Sequence, residues 1–484
     1  MTDQALTHMS ALRLAAAIRS GETSSRAVVE THISRLREVE HALNAVVYDR
    51  YEQALADAGA ADARIAASNG PDDPALPPLL GVPCTVKESF EMVGMPNCVG
   101  VVHRKDVRST TNAPPVQRLI DAGAIPLGVT NISELTLWIE SDNRVYGRAN
   151  NAYDQTRAAG GSSGGEGAAI GSGGSPFGIG TDIAGSIRVP AFFNGIFGHK
   201  PTVGVVPNSG QWPHAVGSAA ALLGTGPLAR RAEDLMPLLR IIAGPDGSDD
   251  LVRDVELGDP ASVNLSGLDV LLSRDAWYFP ASHELMDARE RAAGALAALG
   301  ANVRDVSLKS LRRALGLLLV ALVEGGGDTV AEMLTPEGGP PVTLRTALRD
   351  RRARHTWPTI WLLGGEALLA HSPSRSAKRQ LAAGRALADE FNAVVGDGVL
   401  LHPPHSRVAP KHGSTVARPW AVAPTSMFNL TGSPVTQVPL GLNRGGLPLG
   451  VQVVAGRDRD HVSIAIAMAL ENVFGGWVPP SARA

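Results

Sequence analysis

Serine hydroxyls set among glycines are where this chain is best equipped for chemistry. From Gly160 to Gly204 it reads GGSSGGEGAAIGSGGSPFGIGTDIAGSIRVPAFFNGIFGHKPTVG, with eleven glycines between Gly160 and Gly185. That density gives up backbone entropy and makes sense where a chain must bend tightly or approach a ligand closely. A flexible linker would not interleave Ile170, Phe177, Ile179, Ile183 and Ile187, nor run into Phe192-Phe193 and Ile196-Phe197. Ser162 and Ser163 follow the first glycine pair, and Ser186 stands 24 residues beyond Ser162. Gly160 to Gly164 also fits GxSxG, the nucleophile elbow, but that motif needs a strand immediately before it. The preceding residues 154–159 are largely polar and turn-like. Neither GxxxxGK[ST] nor GxGxxG occurs in the stretch, which argues against phosphate binding.

The stretch resembles the signature of the amidase signature family, most closely its fatty-acid amide hydrolase branch (type 2-like, in a soluble bacterial-type form). Ser186 lies in Asp182-Ile183-Ala184-Gly185-Ser186-Ile187-Arg188, Ser162 opens the serine pair, and Lys87 ends Gly81-Val82-Pro83-Cys84-Thr85-Val86-Lys87. The likeness continues through TNISEL (130–135), NGIFGHKP (194–201), FNLTGSPVTQVPLG (428–441) and GLPLGVQVV (446–454). It is weakest between about residues 265 and 400, where analogy puts the acyl-binding region. The resemblance implies a serine hydrolase of C–N bonds working through an acyl-enzyme, with a Ser-cisSer-Lys triad of Ser186, Ser162 and Lys87. It also implies an oxyanion hole from the backbone of Ile183, Ala184, Gly185 and Ser186. Ser163, Asp182 and Arg188 would support the loop, and Trp138, Gly160, Gly161 and Thr181 would meet substrate. No cofactor and no metal are implied. Ala184 stands where many relatives have glycine, so the loop must take an ordinary backbone there.

An amide carbonyl is a poor electrophile, so its hydrolysis needs an activated nucleophile, stabilisation of the oxyanion and a proton for the leaving nitrogen. The signature holds no histidine before His199, which sits in a structural-looking Gly-His-Lys-Pro. Lysine serves as base only when neutral, which requires its pKa to fall from ~10.4 through burial or nearby positive charge. Val82, Pro83 and Val86 supply an apolar setting. A serine between lysine and nucleophile relays protons because a hydroxyl both donates and accepts.

Composition narrows the remaining classes. The 484 residues are 19% charged and 44% hydrophobic with a net charge of −3, values for a globular chain without the basic footprint of a nucleic-acid binder. Two cysteines, Cys84 and Cys98, form no disulfide framework, and the early apolar stretch is broken by Arg13 and Arg19, so a cytoplasmic protein is expected. The longest apolar run, Ala314 to Val323, falls far short of the ~20 residues of a membrane span. A buried helix or one wall of an acyl pocket fits it. The expected partner is a small-molecule amide or carbamate substrate, and a homodimer is compatible with the sequence.

Residues 10–66 read as successive helices, punctuated at Gly21 and capped at Ser24 or Ser25. Strand-like segments follow at Val82–Lys87, Ile125–Val129, Val270–Leu272, Val399–His402, Thr436–Leu440 and Leu449–Val453, with helical patterns between. This predicts a single α/β domain over 1–484, its twisted, mostly parallel mixed sheet sandwiched between helices. Its parts would be N-terminal helices (1–66), a signature core (75–245), a variable substrate-pocket region (265–400) and a C-terminal return (400–484). Arg312-Arg313 and Arg351–Arg354 read as solvated helix faces, and His402 and His405 as structural. Three functions compete: a stand-alone amidase for apolar amides, anilides or carbamates (urethanes), with aryl acylamidase or esterase side activity; the glutaminase subunit of a tRNA-dependent amidotransferase; and a non-catalytic binding protein on the same scaffold.

Overall fold

Within the stretch 10–66 expected to be helical, helices form at Ala11–Arg19, Ser25–Leu43 and Tyr51–Ala66, interrupted by a strand at Val46–Asp49, and a short helix, Asp3–His8, precedes them. Ser10 and Ser24 cap helices Ala11–Arg19 and Ser25–Leu43, each hydroxyl accepting the N–H three residues on at 3.1 Å. This computed structural model describes residues 2–273, 275, 280–369 and 374–480. Parts of the expected 265–400 region, and both ends of the expected domain, therefore lie outside the described residues.

The strands, in chain order, are β1 (Val46–Asp49), β2 (Pro83–Lys87), β3 (Ile125–Thr130), β4 (Asp142–Asn143), β5 (Gly147–Arg148), β6 (Phe177–Asp182), β7 (Phe197–Lys200), β8 (Gly224–Ala229), β9 (Asp269–Ser273), β10 (Asn302–Val306), β11 (Val399–His402), β12 (Val435–Leu442) and β13 (Pro448–Ala455). β4 and β5 form a ribbon of their own, and the rest make one 11-stranded sheet in the order β1-β3-β2-β6-β8-β7-β12-β13-β11-β9-β10. The α/β class and the single mixed sheet are as expected, but among the described residues antiparallel pairs outnumber parallel ones six to four where the sequence predicts a mostly parallel sheet. Parallel pairing holds towards the two ends, in β3-β2-β6 and β11-β9-β10. The middle, from β6 to β11, is antiparallel, as is the β1-β3 edge. Part of the reason is connection length: β12 and β13 are joined through Asn443–Leu447, too short for the crossover that a parallel pair requires.

Alternation along the strands divides the apolar residues between two faces. Val270 and Leu272 of β9, Val399 and Leu401 of β11 and Val453 of β13 join one core; Leu271, Leu400 and Val454 join another. Helices Leu235–Ile242, His283–Ala298 and Asp460–Phe474 pack on the first face. Helices Ala314–Val323, Ser374–Val395 and Ala423–Leu430 pack on the second. The sheet is thereby sandwiched between helical layers.

Candidate active site

Two parallel neighbours bring the expected groups to one edge. β2 and β6 pair with Thr85 opposite Gly178 and Val86 opposite Ile179. Lys87 ends β2 and Asp182 ends β6, so the lysine and the Asp182–Arg188 loop emerge side by side at the carboxyl ends of the strands, where open α/β sheets commonly hold ligands. Ser162 arrives from the turn before the buried helix Gly164–Gly171, and its peptide bond with Gly161 is cis.

Lys87 is wholly buried, and its Nζ donates to Ser162 Oγ at 2.7 Å and to Thr181 Oγ1 at 2.6 Å. Burial pulls its pKa from 10.5 down to about 7, against the opposing charges of Asp182, Glu166 and Glu88. Glu166, buried nearby, is pushed up to about 8 by the same loss of water, although the Thr85 and Thr130 hydroxyls donate to it at 2.7 and 2.8 Å. Burial thus favours the neutral form of both groups. Ser163 N–H donates to Ser186 O at 3.3 Å, tying the loop that carries Ser186 to the segment that carries Ser162. Ser163 supports the loop through its backbone; its hydroxyl is buried without a partner among the described residues.

Asp182 and Arg188 are both fully buried and joined by Nη2–Oδ1 at 2.8 Å and Nε–Oδ2 at 3.0 Å, so they are an internal brace, not a surface pair. Burial alone would raise the Asp182 pKa, but the Arg188 guanidinium beside it and the Asn429 amide hold it well below the usual carboxylate range. The Arg188 fork continues to Thr425 O at 3.0 Å, Gln452 Oε1 at 2.8 Å and Asn429 Oδ1 at 2.6 Å.

One expectation for the oxyanion hole needs correction. The Gly185 N–H donates to Asp182 Oδ1 at 2.7 Å and is committed to holding the loop. The N–H groups of Ile183, Ala184 and Ser186 have no hydrogen-bond partner among the described residues. Ala184 does keep an ordinary backbone, while Gly185 takes φ 122°, and a Cβ on it would lie 2.4 Å from Thr425 Oγ1.

The residues expected to meet substrate divide. Thr181 serves Lys87 as an acceptor. Gly160 and Gly161 are buried, and a Cβ on Gly161 would come within 2.5 Å of Trp138 O, so the 138–140 backbone lies directly against the serine turn. Trp138 is half-buried, its indole N–H donating to Thr415 Oγ1 at 2.8 Å. Ile183 packs with Leu222 and with Leu318 and Ala321 of helix Ala314–Val323. Thr359 donates to Glu134 at 2.8 Å, which brings helix Trp357–Leu369 to the turn that leads into Trp138.

Other reactive side chains are occupied by the fold. His199 bonds Thr436 at 2.9 Å and Asp460 at 3.1 Å, a grouping with the chemical parts of a hydrolytic triad, but all three are sealed from solvent. His402 and His405 bond backbone carbonyls at 2.7 and 2.9 Å. Cys84 is core, its thiol pKa pushed up by burial. The residues before Ser162 make only isolated bridges, Asn150 with Ala158 and Arg157 with Lys411, so no nucleophile elbow forms. Among the described residues no helix is long and apolar enough to cross a membrane.

Sequence reasoning missed Asn429, Gln452, Ser141, Glu140 and Thr415. Asn429 and Gln452 do fall inside blocks that carry the family likeness, 428–441 and 446–454.

A deeply buried lysine bonded to Ser162 thus stands beside the braced, glycine-bent loop that carries Ser186. The Amidase family model matches residues 27–463, and the chain belongs to that family, whose signature it carries. Fatty-acid amide hydrolase 2-B of Danio rerio is 42% identical over 98% of this chain and 90% of its own length. The glutamyl-tRNA(Gln) amidotransferase of Deinococcus deserti contributes a second relative, one of its subunits being 31% identical over 96% of each chain. In structure, a bacterial aryl acylamidase of the amidase signature enzymes superposes with a TM-score of 0.84 and 25% identity, over 99% of both chains.

Proposed function

We propose that this chain is a serine amidase cleaving the C–N bond of apolar amides, anilides or carbamates, with Ser186 as nucleophile, Ser162 as relay and Lys87 as base. The observation that carries the reading is the buried 2.7 Å contact between Lys87 Nζ and Ser162 Oγ, at a lysine whose pKa falls to about 7. In its neutral form the amine keeps two N–H groups and one lone pair. One N–H goes to Thr181 Oγ1, and the lone pair accepts the Ser162 proton as Ser162 takes the proton of Ser186. Ser186 Oγ then bonds to the carbonyl carbon, and the N–H groups of Ile183, Ala184 and Ser186 receive the oxyanion. The proton returns through Ser162 to the leaving nitrogen, and water repeats the sequence on the acyl-enzyme.

The pH dependence follows from the sign of the lysine shift. Below about pH 7 Lys87 holds its proton and cannot act as base; above it the amine is free. The log of kcat/KM should therefore rise with pH up to a limb near 7 and level off above it. A profile flat from pH 5 to 9 would remove Lys87 from the role of base.

The apolar residues around Ile183 support a preference for apolar acyl or aryl groups, since each buried CH₂ contributes roughly 0.8 kcal/mol, about fourfold in binding. Purified protein assayed alone on a panel of amides, anilides, esters and carbamates should show kcat/KM favouring anilides and medium or long acyl amides over acetamide and glutamine. The 31% identity to one component of an amidotransferase supports the second reading, a glutaminase. Good turnover of glutamine with no action on anilides would put that reading first.

A further inference from the structure

Thr415 has no part in the proton relay, yet it connects two sides of the site. Its hydroxyl accepts the Trp138 indole N–H at 2.8 Å and donates to Glu140 Oε1. Glu140 in turn gathers the strap that carries Thr415, accepting Thr415 N–H at 3.2 Å on Oε1 and Gly413 N–H at 2.8 Å on Oε2. Lys411, Gly413 and Ser414 are exposed, whereas Thr415 and Glu140 retain 3% and 6% exposure, so the strap lies at the surface and is fastened from beneath. Its near end is tied down too, with Ala158 N–H donating to Pro410 O at 2.9 Å.

The segment that receives the strap also grips the bridging serine. Ser141 N–H donates to Gly160 O at 3.0 Å; its hydroxyl donates to Ser162 O at 3.0 Å and accepts from Gly164 N–H at 2.9 Å. The backbone of 138–141 is therefore fixed against the serine turn, and the Trp138 ring is fixed at its far end by Thr415. An indole held only at its Cβ swings between rotamers; one held also at Nε1 presents a fixed plane.

We propose that Thr415 and Glu140 are specificity-determining positioning residues: they lock the Trp138 indole, carried on the segment packed against Gly161, as a rigid wall that selects bulky apolar acyl or aryl groups over small ones. This rests on the amidase reading above. Substrates long enough to lie on the wall gain from its being ordered in advance, while acetamide does not reach it.

The test is a double-mutant cycle read on a long-chain acyl anilide and on acetamide. Thr415→Val keeps the shape of the side chain but strands the indole N–H and leaves Glu140 Oε1 with only the Thr415 N–H as donor. It should lower the anilide-to-acetamide ratio of kcat/KM by about tenfold, mostly through KM of the anilide. Thr415→Ser keeps the hydroxyl and should restore the ratio. In a Trp138→Phe background, where there is no N–H to hold, Thr415→Val should change the ratio no further. Additive effects in the two backgrounds, or an equal fall in kcat on both substrates, would overturn the proposal. Should Thr415→Val not fold, Trp138→Phe alone carries the test, and an unchanged ratio in it overturns the proposal. Labelling of Ser186 by a small dialkyl fluorophosphonate separates the two layers: a wild-type protein that is neither labelled nor active defeats the amidase reading, whereas a labelled, active enzyme with an unaltered ratio defeats only the role of Thr415.

Discussion

Replacing Ser186 by alanine is expected to reduce amide turnover by a factor on the order of 10⁶ and to abolish covalent labelling by a fluorophosphonate, because no other oxygen in the proposed relay becomes acylated. Ser162→Ala and Lys87→Ala should each lower kcat by about 10²- to 10⁴-fold, the range of general-base catalysis, and leave slow labelling of Ser186. The asymmetry follows from position. Ser162 and Lys87 move protons, and Ser186 retains 8% exposure whereas Ser162 has 1% and Lys87 none. Mass spectrometry of the labelled protein gives the answer directly. If Ser162→Ala lost the label and Ser186→Ala kept it, the nucleophile would be Ser162 and the relay would have to be discarded.

Arg188→Met should be the most destabilising single change near the site. Methionine fills similar volume, but it removes the guanidinium from a carboxylate with no exposure and frees Thr425 O, Gln452 Oε1 and Asn429 Oδ1 of their donor. Breaking one side of a buried pair costs about 3–5 kcal/mol, because the remaining charge has neither water nor a counter-ion. Chemical denaturation should register that loss as a lower midpoint. Ser186 should label slowly even at temperatures where the variant stays folded, since Asp182 also holds the N–H groups of Gly185 and Ile187. Arg188→Lys should recover little, as a single ammonium cannot reproduce the fork. A variant with wild-type midpoint and labelling rate would show that the loop holds its shape without the brace.

Local signals carried much of this molecule. Lys87, Ser162 and Ser186 stand in short motifs whose spacing survives translation into sequence, and β2, β3, β9, β11, β12 and β13 are apolar, β-branched runs that announce themselves. Among the strands that sequence patterning does not announce are β6, which carries Thr181 and Asp182, and its neighbour β8. β6 is FGIGTD and β8 is GTGPLA, and glycine and proline argue against a strand by propensity. They are strands because the sheet around them pairs both edges and covers both faces, a tertiary fact. The Gly185 N–H illustrates the same limit: a motif shows which backbone passes the substrate, but not which of its donors is already taken by Asp182. Glu140 and Thr415 are 275 residues apart, and no local pattern joins them.

Helix Ala314–Val323, which packs on Ile183, and helices Val330–Leu334 and Trp357–Leu369, which pack against the turn that leads into Trp138, belong with Leu344–Asp350 and Ser374–Val395 to one excursion of the chain between β10 and β11. Those two strands flank β9 in parallel at one end of the sheet, while β2 and β6 lie together in its other half. On the proposed function, much of the substrate-pocket wall is consequently modular. A relative's excursion spliced in at two junctions, near Val306 and Val399, would exchange most of the wall without altering the register of any strand that carries Lys87 or the Ser186 loop. Preference can therefore be inherited separately from chemistry, and chimeras cut at those two points offer a shorter route to new substrates than scattered substitutions around the relay.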